Sequence, residues 1–321
     1  MSPRARVYAV VAAVCVAAGG TAAGVVLATG GGKAEGKHVL TGNPPLELDL
    51  GVRQDPEAVA LRNGQRLYLS GKLEQAAAIF GRHSSLEARV GAAMAGLPQS
   101  RVERLSAEAR RHPSSAVVPL NLGLALLWAG DEKEALAAWR DAKRVEPDSS
   151  SAVRADDFLH PGFNRGLPTF VPSFGPPPGL VRRRPDRQLA ILARAAGRRD
   201  VRSKLLYGIA LQRLGRPISA KRVFAQAAAI APDDPDARVA AAVGRFDKEH
   251  PERAFSRLGP LTRRFPHATT VRFHLGLLLL WMGQVSPGKR QLRLARAEDP
   301  GSPLGREAAL FLRRLENVTN K

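Results

Sequence analysis

The chain has a single cysteine, Cys15, and it sits inside an N-terminal apolar run. No disulfide can form within the chain, and a cysteine-based metal site is excluded. Acidic residues are scarce: 29 Asp and Glu stand against 49 Lys and Arg. The seven histidines are scattered, with no His-Glu-x-x-His and no ligand pair at helical spacing. His274 falls inside an apolar helix and is expected to be packed rather than ligating. There is no Gly-x-Ser-x-Gly elbow and no nucleophile placed beside a base. Residues 31–37 follow most of a phosphate-loop pattern, but His38 stands where Ser or Thr should ligate magnesium, and no strand precedes it. The chain is therefore read as non-enzymatic, with no cofactor and no metal.

What is abundant is positive charge. The formal net charge is +20 over 321 residues, and the pI is near 11.2. Such a balance biases encounters toward anions: acidic lipid, a wall polymer or nucleic acid. Arginine far outnumbers lysine, and Ala, Gly and Pro are plentiful. The same composition also arises as ordinary solvated surface written by a GC-rich genome.

Residues 7–27 carry no charge, after Arg4 and Arg6 in a short tail over 1–6. At about 1.5 Å per residue the run reaches roughly 30 Å, enough for a bilayer core. The expectation is a transmembrane anchor over 7–29, single-pass in the cell membrane, with the C-terminal part extracytoplasmic. The alternative is a signal peptide cut near Ala28-Thr29-Gly30, which would leave a secreted protein. Residues 30–56 read as a flexible linker.

The rest of the chain is periodic. Pro113 and Pro147 are 34 residues apart, and so are Pro232, Pro266 and Pro300. Gly123, Gly208, Ala242 and Gly276 lie 24 before a proline, and Ala135, Ala220, Ala254 and Gly288 lie 12 before it. Trp139, Phe224, Leu258 and Leu292 lie eight before it. Recurrence at this period marks stacked helix pairs. The small residues are the points where paired helices cross, and Gly130, Gly215 and Gly283 break the first helix of a pair. A longer duplication overlies this one: residues 104–130 and 257–283 align at an offset of 153.

The spacing and residue types resemble the tetratricopeptide repeat family, with clear copies starting at Ala116, Val201, Pro235 and Thr269. The Pro235 copy is degenerate, and weaker units start at Glu57 and near Leu86. The fold expected is an all-α solenoid of antiparallel helix pairs in two arrays, plus one N-terminal transmembrane helix. The arrays span 57–148 and 187–317, joined by a Pro/Gly/Phe-rich segment over 149–186. Its prolines and glycines are expected to forbid a helix there.

The resemblance also implies a groove lined by the first helix of each pair. Its matching positions are Leu120, Leu124, Leu127 and Trp128, then Leu205, Ile209 and Arg213, then Phe273, Leu277, Leu280 and Trp281. Most are apolar where a half-wet surface is usual, so something must cover them. Three covers are open: a partner protein, the other array, or the interarray segment. Phe158, Phe163, Phe170 and Phe174 favour the last, with the segment lying extended along an array and some of these rings inserted. The family's carboxylate clamp has no matching residues here. Arg182, Arg183, Arg184, Arg187, Arg198 and Arg199 cluster just before the second array and form the local candidate for an anion contact. The function expected is a membrane-anchored scaffold that presents its grooves to a partner protein. The alternative is an anion-binding protein that acts through its arginines.

Overall fold

The computed structural model describes residues 40–319. The expected anchor over 7–29 lies outside them. Among the described residues every regular element is helical, and no helix is long and apolar enough to cross a membrane. The described chain divides between Leu159 and His160 into two units.

The first unit holds three helix pairs and a closing helix. The pairs are α1 (Pro56–Leu69) with α2 (Leu73–Phe80), α3 (Leu86–Ala95) with α4 (Arg101–Arg111), and α5 (Val117–Trp128) with α6 (Glu132–Val145). The closing helix is α7 (Ser150–Leu159). Side chains cap three of these starts, Asp55, Ser85 and Ser149. Asp55 accepts the Ala58 amide at 2.9 Å and Pro56 opens α1, a capped N-terminus with a pre-set first φ. Helix α7 corrects the expectation that 149–186 cannot be helical. The prolines of that segment begin only at Pro161, and the Ser149 hydroxyl accepts the Ala152 amide at 3.0 Å as the cap. Composition judged over the whole segment hid a proline-free first third.

The second unit begins with the short α8 (Pro178–Val181) and α9 (Pro185–Ala196). The pairs are α10 (Val201–Arg213) with α11 (Pro217–Ile230), α12 (Pro235–Val243) with the broken α13 (Glu252–Leu258) and α14 (Leu261–Arg264), and α15 (Thr269–Trp281) with α16 (Val285–Glu298). Helix α17 (Pro303–Thr319) closes the array. The break between α13 and α14 falls at Gly259-Pro260, where the ladder loses a donor. This is the repeat whose sequence is degenerate.

The 34-residue pattern has the cause expected of it. Phe224 packs directly on Gly208, and Trp139 on Gly123, so a Cβ at either glycine would overlap the ring. Phe80 fills the same role against Gly64 and Gly91, where a Cβ would meet ring carbons at 2.8 Å and 2.6 Å. Between the helices of a pair, Gly71, Gly130, Gly215 and Gly283 all have φ between 66° and 82°. That left-handed conformation strains any side chain.

Candidate functional site

The inner faces of the first helices form a groove in each unit, and each groove holds an extended piece of the chain itself. In the second unit the occupant is the stretch 167–174. Phe170 is 1% exposed. Its ring stacks on His274 at 5.0 Å between centroids and meets Phe224 edge-on at 5.8 Å. Phe163, Leu167, Val171 and Phe174 pack partly buried around it, and the Arg202 guanidinium lies 4.5 Å over the Phe174 ring.

The main chain of this strap is held by side chains of three first helices. The Phe170 amide donates to Gln212 Oε1 of α10 at 3.0 Å. The Val171 amide donates to His274 Nε2 of α15 at 2.9 Å. The Ser173 amide and hydroxyl both donate to Asp236 Oδ2 of α12, at 2.9 Å and 2.6 Å. His274 is 1% exposed. Burial pushes its imidazole down to about 4, against the opposing pull of the Thr270 carbonyl and the Asp236 charge. The neutral ring places its proton on Nδ1, toward the Thr270 carbonyl at 2.7 Å, and leaves Nε2 as the acceptor that Val171 needs.

In the first unit the occupant is the stretch 43–50, which corrects the expectation of a flexible linker through 56. Leu46 and Leu50 are 1% and 5% exposed. Tyr68 of α1 donates its hydroxyl to the Pro44 carbonyl at 2.7 Å. Burial raises that phenol to about 12, so it stays a donor. Gln65 donates to the Leu46 carbonyl at 2.8 Å. Asn121 of α5 grips Glu47 on both sides, accepting its amide at 3.0 Å and donating to its carbonyl at 2.7 Å. The Glu47 carboxylate pairs with Arg154 of α7 at 2.7 Å.

The expected groove residues are distributed as follows. Leu120, Leu124, Leu205, Ile209, Phe273, Leu277, Leu280 and Trp281 are buried, whereas Leu127 and Trp128 are half-buried. Arg213 is exposed. The polar residues that grip the straps, Gln65, Tyr68, Asn121, Gln212 and Asp236, were not among the expected set. The readable signal was a polar residue between apolar neighbours, two places before a crossing glycine: Asn121 in LNLG and His274 in FHLG.

Arg182, Arg183, Arg184, Arg187, Arg198 and Arg199 are all exposed at the start of the second unit. Arg183, Arg187, Arg194 and Arg198 wall a shallow trough of about 550 Å³ along α9, floored by Ala190, Ile191 and Ala195. Arg184 turns instead to Asp186 at 3.4 Å.

Several solved structures are similar to this chain. YrrB, a tetratricopeptide repeat protein with an unusual peptide-binding site, is 15% identical; the match covers 65% of this chain and 98% of that one, with a TM-score of 0.32. The yeast Sti1 TPR2AB domain in complex with pHSP90 is 12% identical over 81% and 98%, with a TM-score of 0.31. A tetratricopeptide repeat protein of Parabacteroides merdae is 12% identical over 81% and 98%, with a TM-score of 0.34. No protein-family model and no curated protein matches the chain. The fold is tetratricopeptide-repeat-like, and that description stands on the chain's own helix pairs, crossing glycines and left-handed turns.

Proposed function

We propose that the chain is a non-enzymatic protein-interaction scaffold whose two arrays hold extended peptide in their grooves. The observation that carries this reading is the way the straps are bound. Side chains of the first helices bond main-chain amides and carbonyls, and an apolar side chain enters the floor. In recognition of an extended peptide, main-chain hydrogen bonds give affinity and side-chain pockets give specificity. Anchoring by residues 7–29, with the arrays outside the cytoplasm, belongs to the proposal and rests on the uncharged N-terminal run. In-cell crosslinking of the full chain followed by mass spectrometry tests the scaffold. A reproducible protein neighbour is expected, and recovery of the chain crosslinked only to itself sinks the reading. Protease added to intact cells tests the topology: cleavage of the arrays supports it, and protection refutes it.

A second reading has its own observation. The trough along α9 is walled by four arginines and, among the described residues, lined by no acidic one, which suits an acidic lipid, wall polymer or nucleic acid. Binding through such a surface weakens steeply with salt, whereas binding in an apolar groove does not. Retention on an anionic matrix that persists unchanged at high salt would count against it.

A further inference from the structure

The two straps resemble one another in sequence. Residues 42–51 read GNPPLELDLG and residues 166–175 read GLPTFVPSFG. Aligned, they share glycine at both ends, proline at the third position and a large apolar residue at the fifth and ninth. The opening glycines have the same left-handed backbone, with φ of 81° at Gly42 and 77° at Gly166. The apolar pair is Leu46 with Leu50 in one strap and Phe170 with Phe174 in the other. Leu46, Leu50 and Phe170 are buried, and Phe174 is half-buried.

The grooves hold the two straps through equivalent residues. Asn121 and His274 occupy the same site of the duplicated blocks, 153 residues apart. Each accepts the amide of the residue after the first apolar side chain: Glu47 at 3.0 Å and Val171 at 2.9 Å. Each is itself aimed by a bond to the carbonyl four residues back, Val117 for Asn121 at 2.8 Å and Thr270 for His274 at 2.7 Å. Tyr68 and Gln212 hold the twelfth place of the repeats starting at Glu57 and Val201. Each donates to the carbonyl of the strap proline, Pro44 at 2.7 Å and Pro168 at 3.5 Å.

We infer that both arrays read one peptide code, Gly-x-Pro-x-Φ-x-x-x-Φ with Φ large and apolar, and that each strap is a cis copy of the ligand class the grooves take. The inference rests on the peptide-holding reading of the grooves and adds the ligand's chemistry to it. Proline presets an extended entry and removes one amide that would otherwise need a partner. The left-handed glycine turns the chain into the groove. The first Φ fills the floor, and the amide after it fixes the register. A partner with this signature would compete with the strap, so the free groove is the minor state, and the apparent affinity for such a partner is reduced by the strap's occupancy.

The test uses the full chain in detergent, with its second strap opened by Phe170→Ser and Phe174→Ser. Two labelled peptides are added, one spanning 42–51 and one spanning 166–175, each also in a form with serine at the first Φ. Both parent peptides are expected to bind the opened chain. The serine forms are expected to bind at least about tenfold more weakly, because a buried apolar side chain is lost. The unaltered chain, already filled, should bind all four more weakly than the opened one. If 166–175 binds and 42–51 does not, the shared code is wrong while peptide holding stands. If neither binds, trans recognition by these grooves is wrong, and the crosslinking experiment judges the scaffold separately. Should the opened chain lose its helical circular dichroism, a chimera replaces the test: residues 167–174 are exchanged for those of 43–50, beside a scrambled strap of the same composition. The chimera should melt above the scrambled control, and equal melting overturns the inference.

Discussion

His274 and Val171 meet in one hydrogen bond of 2.9 Å that works in one protonation state only. The ring's other nitrogen faces the Thr270 carbonyl, so a second proton would have to go on Nε2, against the Val171 N–H. The buried ring is held down to about 4 against an ordinary value near 6.5. Between those values the unfolded chain binds more protons than the folded one. Stability therefore rises with pH across that window and is lost as pH falls through it. The stake is about 3 kcal/mol. Urea midpoints measured from pH 7 to pH 4 should fall, and His274→Asn should flatten that dependence while keeping an acceptor for the Val171 amide. An unchanged pH profile in the variant would refute the assignment.

Phe170→Ser should lower the melting temperature sharply. The ring is fully enclosed by His274, Phe224 and the floor of the groove, and deleting such a side chain costs about 3–5 kcal/mol. Phe174 is half-buried under Arg202, so Phe174→Ser should cost less. Calorimetry of the two variants decides the ranking.

Asn121→Leu should release the first strap without unfolding the array. It removes the two hydrogen bonds that Asn121 makes to the half-buried Glu47 main chain, a loss of about 0.5–1.5 kcal/mol for each. Hydrogen exchange should quicken around 43–50, while the helices keep their protection. Exchange unchanged at Glu47 would contradict this account.

Gly123→Ala should destabilise the first unit although alanine favours helix. The added methyl would overlap the Trp139 indole, which is pinned by its own bond to the Leu120 carbonyl at 3.2 Å. Overpacking of this kind costs about 1–3 kcal/mol. The outcome is read in a denaturant titration, where a stabilised variant would show that the ring yields freely.

Charge reversal on α9 should leave folding alone. Arg187 and Arg194 are exposed, so Arg187→Glu with Arg194→Glu is expected to move stability by no more than about 0.5 kcal/mol per site. Elution from an anionic resin should nevertheless shift to lower salt. A large drop in melting temperature would instead give these arginines a structural role.

The helix pairs were readable because their determinants are local and repeated. A glycine under each ring and a glycine at each left-handed turn recur at a fixed period, so Gly123, Gly208, Gly130 and Gly215 announce themselves. Insertion of Phe170 was also readable, since a phenylalanine in a proline-rich stretch has no wet use. The first strap was not. Residues 43–50 have no period, and their partners Tyr68, Asn121 and Arg154 come from three separate helices. Helix α7 was missed for a different reason: prolines that start at Pro161 coloured the ten residues before them. Asn121 and His274 carry the register of the straps, and only the comparison of the two blocks brings them together.

Each strap precedes the array that receives it, and for Val171 the receiving ring lies 103 residues downstream. During synthesis this interval lasts on the order of ten seconds. Across it the nascent chain carries a greasy, proline-stiffened stretch that gains its partners one at a time, Gln212 42 residues downstream, Asp236 63 and His274 last. A chaperone that shields the stretch, or a neighbour that seizes it first, would act in that interval, before the finished molecule exists.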